Sequence, residues 1–300
     1  MSNFVIPVDD VKSKFEGQFL KECQKISAPN ILLLGQTGVG KSSLVNTIFG
    51  KELAKVSDVK PETRGFFTYS VPDKPVNIID SEGFEIAATN AFIAELEKYI
   101  DSNFNTIAQQ VHIAWYCISV ASNRVLPFDI EVIKFLQQKK IPVCVAFTHC
   151  DTDDENGTIA KSLQATIVEK IGSSIPCFQT SNDAEVNKSL DIEKLLSWSI
   201  DNLNDDNLKA GFIAAQKISL DMKEEAVQKR IKYYAGVAAG IGASPIPMSD
   251  AILLTGLQTA MAYDIFRLYG LNNRISNTLK NIIEGRVVSM LGKCVAGNLV

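Results

Sequence analysis

The chain carries one segment that leaves little freedom in how it can fold. Ile31-Leu32-Leu33-Leu34 is followed directly by Gly35-Gln36-Thr37-Gly38-Val39-Gly40-Lys41-Ser42. The apolar run, bounded by Pro29 and Gly35, fits a strand buried on both faces of a parallel sheet. Glycines at 35, 38 and 40 let the backbone curl so that its N–H groups point inward. A helix is predicted from about Lys41, and its N-terminal end adds a positive dipole. The spacing is GxxxxGK[ST] in full, between a strand and a helix, which is the context that makes it a phosphate-binding loop. Lys41 can reach the β- and γ-phosphates of a nucleotide, and the Ser42 hydroxyl can ligate Mg²⁺.

The rest of the first two thirds alternates in the same way. Strands are predicted at 66–71, 76–79, 111–120, 141–147 and 176–179. Helices are predicted at 88–104, 130–138, 157–171 and 192–203. This pattern implies an α/β fold with a mostly parallel sheet and helices on both faces. An amphipathic helix is read over 8–26 from Val8, Val11, Phe15 and Phe19. After Asp205-Asp206 only helical segments remain, at 208–241, 249–269, 272–284 and 286–300. Three parts are therefore expected: an N-terminal helix over 1–28, an α/β domain over 29–204 and an all-α domain over 205–300.

Composition narrows the functional classes. Hydrophobic residues make up 46% and charged residues 21%, as in an ordinary globular protein. A net charge of −4 argues against holding nucleic acid by bulk phosphate neutralisation. The six cysteines form no CxxC pair and no zinc spacing, so reduced thiols in a cytoplasmic protein are expected. The first ten residues lack a basic stretch followed by an apolar run, and no secretory leader is read there.

Three further segments lie at the ends of predicted strands. Asp80-Ser81-Glu82-Gly83 follows Val76-Asn77-Ile78-Ile79. A carboxylate at a strand's C-terminal end sits where open α/β sheets bind ligands. Asp80 can hold Mg²⁺ through water, and the Gly83 N–H can sense a γ-phosphate. Thr148-His149-Cys150-Asp151 closes the strand that ends at Phe147. Asp151 can accept from both N1–H and the 2-amino group of guanine, donors that adenine does not present. Thr180-Ser181-Asn182 follows the last strand and can offer backbone N–H groups to guanine O6.

In this order the motifs resemble the translation-factor-related GTPases, and within them the Era-like and TrmE-like group, over about 29–203. The phosphate loop matches through Ser43-Leu44-Val45-Asn46, which brings Ser43 among the nucleotide-binding positions. Glu62-Thr63-Arg64 looks like the first switch segment, where a Thr ligates Mg²⁺, so Thr63 is the candidate and Thr68 the fallback. The resemblance implies Mg²⁺ as cofactor, GTP and GDP as ligands, and Lys41, Thr63 and Gly83 as the catalytic set. His149 stands where the family's base motif has Lys, and an imidazole can stack on guanine there. Phe84 follows Gly83 where Ras-like GTPases carry a water-orienting Gln. Hydrolysis is therefore expected to be slow without an activating partner or a second copy of the chain. The alternative is a scaffold that binds GTP without turning it over.

The segment Gly242 to Asp250, with the apolar stretch after it, resembles the helical domain of YcjF-like bacterial proteins. Gly236 and Gly240, beside Ala235, Ala239 and Ala243, form a small-residue stripe suited to a tight helical hairpin. Asp264 and Arg267 interrupt the stretch 251–269, which favours a soluble bundle, with peripheral membrane contact as the alternative.

Overall fold

A computed structural model describes residues 27–50, 65–70, 74–81, 89–104, 106–242 and 249–271 of the chain. One compact unit spans Ser27–Ser219. It is built around a six-stranded sheet in the order β2-β3-β1-β4-β5-β6. The strands are β1 (Asn30–Leu34), β2 (Phe66–Ser70), β3 (Asn77–Ser81), β4 (Ile113–Ser119), β5 (Val143–Thr148) and β6 (Cys177–Gln179). Only β2 runs antiparallel, pairing Thr68 with Ile79. All other pairings are parallel, including Leu32 with Ile79 and Leu32 with Ala114. β1 lies between β3 and β4, so the chain's crossovers diverge beside the end of β1. That reversal is where a doubly wound sheet opens a crevice for ligands.

The helices of this unit are α1 (Lys41–Phe49), α2 (Thr89–Ser102), α3 (Pro127–Gln138), α4 (Thr158–Ile171), α5 (Ala184–Asn187), α6 (Ile192–Asp201) and α7 (Asp206–Ala215). All residues of β1, β4 and β5 are buried, as two covered faces require. Alternation along the strands divides the core. Leu32, Leu34, Tyr116 and Val145 join Phe92, Leu96 and Ile133 in one cluster. On the other face the Trp115 indole donates to the Ser199 hydroxyl at 3.0 Å. Phe49 stacks on Trp115 at 6.1 Å between ring centroids and meets the Phe212 edge at 5.8 Å.

That last contact moves a boundary. The compact unit runs on past 204, and α7 belongs to it through the fully buried Phe212. The helix read over 208–241 is two helices, because the chain breaks at Gln216. The Gln216 side chain accepts from Ile218 N at 2.8 Å and Ser219 N at 2.9 Å, and donates to the Ser219 carbonyl at 2.7 Å. These local bonds replace the continuing helical ladder. The other strands and helices with a predicted range among the described residues match it to within a few residues, and the short α5 was not predicted.

From Leu220 the chain forms α8 (Leu220–Gly242) and α9 (Ser249–Leu268). Asp264, which breaks the apolar pattern in sequence, is buried and accepts from Tyr234 OH at 2.7 Å. Arg230 Nε lies 3.9 Å from the same carboxylate, and Lys223 Nζ donates to the Leu268 carbonyl at 3.2 Å. A Cβ at Gly236 or Gly240 would meet no described atom within 4 Å. Val227 and Tyr234 are buried. Among the described residues no helix is long and apolar enough to cross a membrane. The helices expected at 8–26, 272–284 and 286–300, and the turn at 243–248, lie outside the described residues.

Candidate nucleotide-binding site

The C-terminal ends of β1, β3, β4, β5 and β6 bring together most of the residues singled out in the sequence. The loop Gly35–Gly40 leaves β1 with Gly35 at φ +133°, Gly38 at +81° and Gly40 at +88°. Gly35 is pressed onto β4: a Cβ there would stand 2.3 Å from the Cys117 carbonyl oxygen. Only glycine tolerates both the dihedral and the approach. Val39 is buried and anchors the loop, while Thr37 and Gly38 are exposed. Its carbonyl accepts from the Thr148 hydroxyl, which also lies 3.5 Å from the Ile118 carbonyl.

The loop delivers the chain into α1 with Gly40 as N-cap. No side chain caps α1, and its first turn holds no acidic residue. Its first N–H groups therefore have no intrahelical acceptor and present a positive end, a setting for an anion. Lys41 is buried to 8% exposure, and its ammonium donates to the Gly35 carbonyl at 2.9 Å and the Gln36 carbonyl at 3.1 Å. Ser42 is exposed at the helix start, with Ser43 half-buried beside it.

Asp80 lies next to this loop, since Leu33 and Asp80 face each other across the β1–β3 ladder. Burial pushes the Asp80 carboxyl up from 3.8 to about 6, partly offset by the Lys41 charge and the Ser81 N–H. Its Oδ1 is buried with no hydrogen-bond partner among the described residues. A buried carboxylate oxygen with no partner among the described residues and a serine hydroxyl exposed at the start of α1 are hard oxygen donors, which fit Mg²⁺. Ser42 and Asp80 would hold that ion. Thr68, the fallback ligand, engages its hydroxyl with Tyr99 OH at 3.3 Å on β2. Thr63 and Gly83, with Glu62, Arg64 and Phe84, lie outside the described residues.

The base-reading side is built by β5 and β6. Thr180 donates its N–H and its hydroxyl to the Phe147 carbonyl, both at 2.8 Å, and Cys150 N–H donates to the Thr180 carbonyl at 3.1 Å. Thr148 and Thr180 are thus braces whose hydroxyls are taken by backbone carbonyls of the phosphate loop and the strands. Asp151 is exposed, and the Ser181 hydroxyl donates to its Oδ1 at 2.6 Å. Ser181 is locked by Asn187, which accepts from its N–H at 2.8 Å and donates to its carbonyl at 2.5 Å. Asn182 is exposed beside them. His149 adopts φ +56°, its Nδ1 3.1 Å from the Ser119 hydroxyl. Gly40 lies against its ring, where a Cβ would come within 2.9 Å of Cε1.

Ser119 and Asn187 were missed by the sequence reading. A small polar residue ending the apolar run Ile113–Ile118, level with Thr148 on the neighbouring parallel strand, was the available signal for Ser119. Nothing in the sequence marked Asn187.

Comparison with known proteins places this geometry. The model of a family described as 50S ribosome-binding GTPase matches residues 30–149. The probable GTP-binding protein EngB of Aquifex aeolicus (strain VF5) is 30% identical over 157 residues, 51% of this chain and 83% of that protein. The protein of the same name from Koribacter versatilis (strain Ellin345) is 30% identical over 158 residues, 48% of this chain and 74% of its own. A crystal structure of a probable GTP-binding protein EngB aligns at 20% identity and a TM-score of 0.41, over 58% of this chain and 97% of that one. These relatives carry the EngB name, not an Era, TrmE or YcjF name.

Proposed function

Because the chain belongs to the P-loop GTPases, we propose that it binds GTP and GDP with Mg²⁺ at the ends of β1, β3 and β5, and hydrolyses GTP to GDP and phosphate as a conformational switch. The observation that carries this reading is the pairing of an uncapped α1 N-terminus and Lys41 with Asp80, whose Oδ1 is buried with no partner among the described residues. The loop amides and Lys41 bind the phosphates and balance charge on the β/γ bridge. Asp151, aimed by Ser181, reads the guanine edge. The bound Mg²⁺ would neutralise charge on the phosphate oxygens.

The switch reading places Thr63 on the metal and the Gly83 N–H on the γ-phosphate, so that both segments order with GTP and relax with GDP. Phe84 has no group with which to aim a water. Stimulation would come from an activating partner or a second copy of the chain, with the helices after Leu220 as transmitter or as a peripheral contact with a membrane or partner. Four free thiols among the described residues, at 117, 144, 150 and 177, support a reducing compartment such as the cytoplasm.

A single-turnover assay with purified full-length protein tests the proposal. Mg²⁺-dependent release of phosphate from GTP, at a slow rate that Lys41→Ala abolishes, is the expected result. Tight GTP binding with no phosphate release over many hours would leave the non-hydrolysing scaffold instead.

A further inference from the structure

The phosphate loop and the base-reading loop are separate in sequence, yet two neighbouring side chains bridge them: Thr148, whose hydroxyl donates to the Val39 carbonyl, and His149. His149 belongs to the segment that carries Asp151, and its imidazole lies against Gly40, the last residue of the phosphate loop. What keeps the ring there is Ser119, at the end of β4. Ser119 is 7% exposed and faces Thr148 across the β4–β5 ladder. Its hydroxyl lies 3.1 Å from His149 Nδ1, while its carbonyl is taken by the Ser122 hydroxyl at 2.7 Å. The left-handed backbone of His149 throws the ring back over the strand ends, where Gly40 leaves the space that any Cβ would fill.

An imidazole on an open loop has rotamers to lose when a ligand orders it, and a fixed one does not. Resting on the guanine-nucleotide reading above, we propose that Ser119 is a positioning residue for nucleotide affinity: it holds His149 against Gly40, so that the phosphate loop and the base-reading loop are set relative to each other before nucleotide arrives. Ser119 does not touch the nucleotide. It acts through His149, and its contribution belongs to binding more than to turnover.

GDP and GTP titrations with the full chain test this, alongside steady-state kinetics and melting temperatures, for wild type, Ser119→Ala, Ser119→Thr, His149→Ala and the double variant. Losing one neutral hydrogen bond, about 1 kcal/mol, should weaken GDP about fivefold. Ser119→Ala should raise KM by a similar factor and move kcat by less than about twofold. Ser119→Thr keeps the hydroxyl and should restore affinity. In the His149→Ala background, Ser119→Ala should have no further effect, since the pair acts as one unit. Wild-type affinity in Ser119→Ala, or an undiminished loss in the His149→Ala background, overturns the proposal. If wild type itself fails to bind GDP and GTP, the guanine-nucleotide reading falls first, and the proposal with it.

Discussion

The Ser181 hydroxyl donates to Asp151 Oδ1 at 2.6 Å, although the two residues sit on different loops of the sheet. Ser181 is buried and Asp151 exposed, so the fixed partner aims the free one. Asn187 holds Ser181 through both its N–H and its carbonyl. The Asp151 carboxylate is therefore presented by a chain of bonds that ends in the protein's interior.

Asp151→Asn should leave that scaffold in place and change only what the side chain offers. The amide oxygen can still accept from Ser181, but its NH₂ meets the donors of guanine. Charge-assisted bonds are about twice as strong as neutral ones, so GTP affinity should fall at least about tenfold. Xanthine nucleotides, whose 2-oxo group accepts from an amide, should gain. Competitive titration with GDP and XDP reads the exchange, and unchanged affinities for both would remove Asp151 from base recognition.

Lys41→Ala should abolish measurable GTP binding while the fold survives. The ammonium spans the Gly35 and Gln36 carbonyls and is the mobile positive charge of the loop. Calorimetric titration should show at least about a hundredfold loss, as for a hydrogen-bonded charge removed from a phosphate. Micromolar binding retained by this variant would contradict the assignment of the loop.

Asp80 gives a pH dependence with a definite sign. Its carboxyl is raised from 3.8 to about 6, chiefly by burial, with the Lys41 charge and the Ser81 N–H acting against the rise. Between about 4 and 6 the folded nucleotide-free protein keeps a proton that the unfolded chain has released. Stability therefore falls as pH rises through this window, and the deficit persists at neutral pH. Asp80→Asn should raise the nucleotide-free melting temperature at pH 7, on the order of 2 kcal/mol in stability, yet weaken Mg²⁺-dependent binding. A melting curve series from pH 4 to 8 without Mg²⁺ checks both the slope and its loss in the variant.

Phe212→Ala should destabilise the unit Ser27–Ser219 by about 3–5 kcal/mol, the usual cost of emptying a large aromatic site. The ring is fully buried against Phe49 and Trp115. A chain ended at 204 should fare no better, because it strips α7 from both aromatics. Denaturant midpoints for the two variants, compared with a chain ended at 219, provide the measurement.

The parallel core and the phosphate loop were legible because their signals are local. Four apolar residues before Gly35, and glycines at fixed offsets before Lys41, specify strand, turn and helix start without outside help. Asp80 and Asp151 were legible for a related reason, since each lies at or just past the C-terminal end of an apolar strand. What could not be read depends on residues far apart in sequence. The Ser119–His149 contact needs β4 and β5 in register. Asn187 acts only after α5 folds back on Ser181. The end of the α/β unit was misplaced near 204 because α7 reads as one continuous helical pattern with α8. Its break rests on the bonds of Gln216, and its allegiance rests on Phe212 reaching Phe49.

Helix α1 runs from Lys41, in the phosphate loop, to Phe49, in the aromatic cluster. Its far end is held by Lys217, whose N–H donates to the Ile48 carbonyl at 2.9 Å. Nine residues thus form a short strut with a ligand socket at one end and the chain's exit segment at the other. Any coupling carried by this strut runs equally in both directions: the factor by which ligand holds the exit segment is the factor by which loosening that segment lowers ligand affinity.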